Sequence, residues 1–246
     1  MKMTKLFTTV FDEELKARGF KRKARLYYRL NGDILQGIVI KPINPYSIHF
    51  YAAPYWMDDY YYGDFPIYQG YWAENGGGVD ASFAYYREEN EQFNLDIMNI
   101  CFTLVKDYAL PVLDRINNLD SYIENNRANW NVFGQTNRSV EVDPANLDER
   151  YSYIKYPVSM HWFYYNSAYD YTAFLKYACD VGDIQKGYDL LMKKEYEGWR
   201  LSEWSNKYPE YMTEDGLERA KEYFEKRRQI MIPRLRDELG LDTFNL

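Results

Sequence analysis

The chain has 246 residues, 46% of them hydrophobic and 19% aromatic, and its 30 Lys/Arg against 37 Asp/Glu leave a net charge of −7. That apolar content excludes a chain unable to offset its ordering entropy, and the acidic balance argues against a nucleic-acid partner, which needs an extended basic face. No run of about 18 apolar residues occurs, and Asp12, Glu13 and Glu14 stand where a signal peptide needs its apolar core, so the expected location is cytoplasmic with no membrane partner.

In chain order, Leu6, Phe7, Val10, Phe11 and Leu15 recur at spacings of three and four, which predicts an amphipathic helix. Gly19 ends it by adopting the left-handed conformation, with Phe20 folding back and Lys16 and Arg18 at the negative end of the dipole. A hairpin follows: Leu26, Tyr28 and Leu30 alternate with Tyr27 and Arg29, Asn31-Gly32 supplies the turn, and Ile34, Gln36, Ile38 and Ile40 resume a period of two. A third strand is expected from Tyr46 to Ala52, with Ile48 and Phe50 on one face and His49 and Tyr51 on the other.

Residues 55–72 carry nine aromatics among eighteen positions, broken by Gly63, Pro66 and Gly70, and read as strand fragments and loops. Gly76-Gly77-Gly78 reads as a flexible turn and Ala81 to Tyr86 as a fourth strand. A long helical pattern then runs from Phe93 to Ile123, which Pro111 should kink or divide. Residues 125–148, rich in Asn and carrying Gly134 and Pro144, are the best place for a boundary. Beyond them the pattern is mainly helical. Ser167 opens one helix, Gly182 ends it and Asp183 caps the next, making an αα-hairpin; a last helix opens at Thr213, bends at Pro233 and stops before Gly240.

Cys101 and Cys179 both lie in apolar helical patterns, which predicts buried free thiols. There is no glycine-rich phosphate loop, dinucleotide fingerprint, Gly-x-Ser-x-Gly elbow or Cys-x-x-Cys pair, and no cofactor is implied. The two histidines, His49 and His161, have no ligand-type neighbour at helical spacing, so no metal site is expected. No residue can be assigned a catalytic role, which weighs against an enzyme without excluding one.

Charge is unevenly distributed. Residues 1–55 are net +6, residues 56–150 net −11 and residues 151–246 net −2. The basic excess gathers in Lys21, Arg22, Lys23 and Arg25, which could receive phosphate or a carboxylate-rich partner, or simply face the acidic segment of the same fold. Asp58, Asp59 and Asp64 sit among Trp56, Tyr60, Tyr61 and Trp72, while His161 and Trp162 belong to a second ring cluster. Such rings bury large area yet keep a polar handle, which suits interface anchors and ligand walls as well as core filling.

The stretch LKARGFKRKARLYYRLNGDILQGIVI, with its Gly19-Phe20-Lys21 element and hairpin, resembles a family of small bacterial domains of unknown function. Over the first half of the chain the resemblance implies an N-terminal helix on an antiparallel meander, and it carries over no catalytic residue. The expectation is therefore an α+β protein: an N-terminal helix on an antiparallel β-meander (1–126), then a mainly helical region (127–246), separate or in the same globule. Two functions are consistent with it. One is a bacterial protein-binding module, immunity-like or accessory, whose acidic loop steers a basic partner. The other is a sugar- or small-molecule-binding protein, even a hydrolase, with an aromatic-lined cleft and acidic residues.

Overall fold

The computed structural model describes residues 3–41, 47–56, 76–80, 90–130, 138–155, 157–162, 167–196, 211, 213, 215–244 and 246. Helix α1 (Met3–Ala17) buries Leu6, Phe7, Phe11 and Leu15, each at most 1% exposed, as its periodicity predicts. Its C-terminus is a Schellman turn. Gly19 takes φ +81°, the Phe20 amide donates to the Leu15 carbonyl at 2.9 Å, and the Gly19 amide to the Lys16 carbonyl at 3.0 Å.

The sheet has seven antiparallel strands: β1 (Lys21–Lys23), β2 (Leu26–Asn31), β3 (Ile34–Lys41), β4 (Ser47–Pro54), β5 (Gly76–Asp80), β6 (Arg138–Val142) and β7 (Val158–Trp162), in the order β1-β2-β3-β4-β5-β7-β6. The hairpin register places Asn31 opposite Ile34, so the two-residue loop is Gly32-Asp33 and not Asn31-Gly32. Gly32 has φ +57°, an added Cβ there would stand 1.9 Å from the Asn117 carbonyl oxygen, and the same carbonyl accepts the Asp33 amide at 3.1 Å, which fixes both residues in the turn.

Gly76-Gly77-Gly78, read as a turn, is instead a strand. Gly76 registers on Tyr51, Gly77 on Phe50 and Trp162, and Gly78 on His49 and His161; large residues on both neighbouring strands flank a backbone that has no side chains of its own. Ala81 to Tyr86 lies outside the described residues. Strands β6 and β7, from the region expected to be mainly helical, complete the sheet beyond β5.

The long helical pattern becomes α2 (Glu91–Leu104), a π turn (Val105–Ala109) and α3 (Leu110–Arg115), followed after a break by α4 (Leu119–Trp130). The π turn falls just before Pro111, where the missing N–H would otherwise leave a gap in the helical ladder. The remaining helices are α5 (Pro144–Leu147), α6 (Ser167–Val181), α7 (Ile184–Tyr196) and α8 (Gly216–Leu239), with Gly182 at φ +69° between α6 and α7 and Gly240 at φ +61° after α8.

Helices cover both faces of the sheet. On one face Tyr27 meets Phe7 edge-on at 5.5 Å and donates its hydroxyl to Asp12 of α1; on the other Tyr28 donates its hydroxyl to the Leu239 carbonyl of α8 at 3.1 Å. Accordingly Ile34, Leu35, Gln36 and Ile38 are buried in succession rather than alternately. One apolar cluster runs from Leu6 to Leu241 and joins residues from both halves of the chain.

Candidate functional site

The predicted basic cluster is an edge strand. Lys21, Arg22 and Lys23 make up the whole of β1 and are exposed, as is Arg25 in the turn that follows, where Ala24 takes φ +53°. A short, fully charged edge discourages pairing with another chain. Arg22 Nε lies 3.2 Å from Asp12, and Lys21 caps the helix exit by donating to the Gly240 carbonyl. Basic and acidic segments do meet inside the fold: Arg18 reaches Asp114 at 2.6 Å and Arg29 reaches it at 2.5 Å.

Arg29 also donates to Gln36 at 2.8 Å and to the Arg18 carbonyl at 2.9 Å, and lies 4.4 Å above the Phe20 ring. Gln36, fully buried, passes two hydrogen bonds to the Leu113 and Ile116 carbonyls at 2.6 and 2.7 Å. This network ties the end of α3 to the hairpin.

Of the aromatic and acidic candidates, Asp58, Asp59, Tyr60, Tyr61, Asp64 and Trp72 lie outside the described residues. The backbone of β7 places His161 and Trp162 opposite Gly78 and Gly77 of β5, and Ser139 and Arg138 of β6. Both histidines of the chain therefore register on Gly78, His49 from β4 and His161 from β7, a proximity that no local spacing could have announced.

Trp56 lines a cleft. It follows β4, is 4% exposed and meets the Phe224 ring of α8 edge-on at 5.1 Å. The cleft, of about 490 Å³, lies between the β2–β3 turn, the end of β4, α6 and α8; Tyr55, Trp56 and Phe224 wall it in. Asp33, Lys176, Asp180, Lys221, Glu225 and Arg228 supply three carboxylates and three cations, a lining of no net charge. The sequence reading missed these six because they come from three separate elements, the β2–β3 turn, α6 and α8, each with an ordinary solvated-face pattern.

Ring burial changes what the aromatics can do. Tyr55, Trp56 and Phe224 are each 4% exposed, so they form a wall and do not offer open faces for stacking. The Lys176 ammonium lies 5.8 Å from the Trp56 ring and 6.0 Å from Phe224, and pairs with Asp180 one turn on. Tyr55 and Asp33 are pinned together by the Tyr55 amide donating to the Asp33 carbonyl at 2.9 Å. Burial raises the Tyr55 phenol, against the positive charge of the Arg228 guanidinium. Arg228 further donates to the Leu246 carbonyl and stands 4.0 Å from Glu225.

Cys179 also lines the cleft, and burial pushes its thiol up to about 11, with Lys176 only partly offsetting this. It is protonated at neutral pH and a poor nucleophile there. A second cavity, of about 550 Å³, is lined by Glu141, Asp143, Asn146, Ser152 and Lys155, but Asp143 is engaged in capping α5 through the Ala145 amide at 3.0 Å. Buried Asp96 accepts from the Tyr153 hydroxyl at 2.6 Å and from Gln92 at 2.8 Å, which clamps α2 to the segment before β7.

Among the described residues no helix is long and apolar enough to cross a membrane, and no group of three or more His, Cys, Asp or Glu is placed to hold a metal ion. Compared with known proteins, the chain matches no family model, no curated protein and no solved structure.

Proposed function

We propose that the protein binds a small organic molecule in the cleft between the β2–β3 turn, the end of β4, α6 and α8. The observation that carries this reading is the cleft itself: about 490 Å³, inside the range of roughly 300–1,000 Å³ usual for ligand sites, with an apolar wall and a few charged groups from separate elements. In the wall Trp56 and Phe224 pack edge-on, and the charged groups are exposed enough to be reached. A fragment library screened by two-dimensional NMR tests it. Hits should shift the Trp56 indole N–H and the Arg228 and Lys221 signals together. A library that shifts none of them, or shifts only residues elsewhere, overturns the reading.

A second reading, a protein-binding module, is favoured by the exposed cations Lys21, Arg22, Lys23 and Arg25 along one edge. Opposite charge there would steer a partner and raise the association rate more than the affinity. Capture from a bacterial lysate at low salt, repeated with Lys23 and Arg25 changed to Glu, separates the two. A partner retained equally by wild type and variant, or no partner at all, removes this reading.

A further inference from the structure

Independently of the cleft, we infer that His49 and His161 form a binding site for one divalent transition-metal ion, held over Gly78 on one face of the sheet. The pairing of three strands carries this. His49 of β4 registers on Gly78 of β5, and Gly78 on His161 of β7, so one row across the sheet runs Val39, His49, Gly78, His161, Ser139. Directly paired residues of antiparallel strands lie on the same face. The chain's two histidines therefore share a face, on either side of a residue that has no side chain. Two strand spacings set their Cα atoms about 9.5 Å apart. Any other residue at position 78 would put a side chain between them; glycine leaves that place to two imidazoles and an ion.

The face itself is polar. The next row on it is Lys41, Ser47, Asp80, Ser159, Glu141, whereas the row between the two, on the opposite face, is Ile40, Ile48, Val79, Met160, Val140. Ile48 and Met160 are accordingly 3% and 5% exposed, while His49 and Ser159 are half-buried and Glu141 is exposed. Asp80 stands two residues along β5 from Gly78, about 7 Å, and brings a negative charge to the face that holds the histidines. Neutral imidazole nitrogens suit Zn²⁺, Ni²⁺ or Cu²⁺, whereas Mg²⁺ and Ca²⁺ take oxygen ligands. With two ligands from the protein, water or a further donor completes the shell of the ion. Neither histidine has a ligand-type neighbour at helical spacing because the pairing runs across strands.

Zinc titration of the intact protein at pH 7.5, followed by two-dimensional NMR of the imidazole rings, tests the site, since two histidines give only two sets of ring signals. Both sets should respond together and saturate at one equivalent, and Mg²⁺ at the same concentration should move neither. At pH 5.5 zinc should bind at least tenfold more weakly, because a protonated imidazole cannot ligate. In calorimetry His49→Gln and His161→Gln should each weaken zinc at least tenfold, and so should Gly78→Val, which keeps both histidines and fills the gap between them. Where a variant fails to fold, the ring signals of the wild type decide. A response from one histidine alone, which would mark an adventitious ion only, or from neither, overturns the inference; so does unaltered zinc affinity in a folded His49→Gln or His161→Gln.

Discussion

Tyr51 lies across Gly37 on the neighbouring strand, so closely that a Cβ added to Gly37 would stand 1.8 Å from the Tyr51 hydroxyl oxygen and 2.0 Å from the ring carbon that bears it. The ring covers the gap a strand glycine leaves, and both residues are buried. Gly37→Ala would force the ring out of its place in a packed layer. A loss of about 1–3 kcal/mol is expected, the usual cost of overpacking, read from urea denaturation. An unchanged midpoint would mean that the ring has room to move.

Gln36 makes a second test. Its amide serves two carbonyls at the end of α3 while its oxygen receives Arg29. Gln36→Leu conserves bulk but strands those groups without water, which should cost about 2–3 kcal/mol. Gln36→Glu should be no better, because a carboxylate cannot donate to the Leu113 and Ile116 carbonyls. Stability within error of wild type in both variants would show that the network is incidental.

Asp12 gives a pH dependence with a definite sign. The hydrogen bond from Lys16 is the main cause that holds its carboxyl below 3.8, helped by the Tyr27 hydroxyl and the charges of Lys16 and Arg22, against some desolvation. A depressed carboxyl stabilises the fold fully above the ordinary carboxylate value, and that contribution fades as pH falls through the folded-state value. Asp12→Asn should therefore be less stable than wild type near neutrality, with the gap closing in acid. Denaturation curves for both proteins across that range check this. A constant gap would assign the effect to packing.

Both thiols should resist labelling in the native state. Cys101 is 4% and Cys179 9% exposed, and Cys179 is held protonated at neutral pH. A disulfide-exchange reagent at pH 7.5 should label neither until denaturant is added, and then both. Fast labelling of Cys179 alone would show that the cleft opens more widely than its wall of rings suggests.

The edge strand makes a fifth. Changing Arg22 and Lys23 to Val would alter folding stability little, since exposed pairs are worth roughly 0–1 kcal/mol, yet should produce concentration-dependent association in light scattering. A variant that stays monomeric would remove the protective role of these charges.

Much of this architecture was legible locally. Leu6, Phe7, Phe11 and Leu15 announced α1, Gly19-Phe20 its cap, and the alternation on either side of Gly32 the hairpin, because each signal is complete within a dozen residues. The α6–α7 hairpin was legible for the same reason: Gly182 closes one helix and Asp183 caps the next through the Gln185 amide at 3.0 Å. What escaped depends on partners distant in sequence. Gly76-Gly77-Gly78 has no strand propensity of its own and is held extended by β4 and β7, and the one-residue offset of the hairpin turn follows from Asn117. The cleft escaped in the same way, Tyr55 and Trp56 being the residues of its wall that lay in the aromatic-rich stretch 55–72.

The insertion of β7 between β5 and β6 bears on how the chain matures. Val79 pairs with Met160, so β5 stays a bare edge until some eighty residues more have been synthesised. At about 5–20 residues per second that exposure lasts roughly 4–16 s on the ribosome. Glycine at three of the five β5 positions gives the waiting edge little apolar surface with which to capture a neighbour, and the same distant pairing should make completion of the sheet a slow step in refolding.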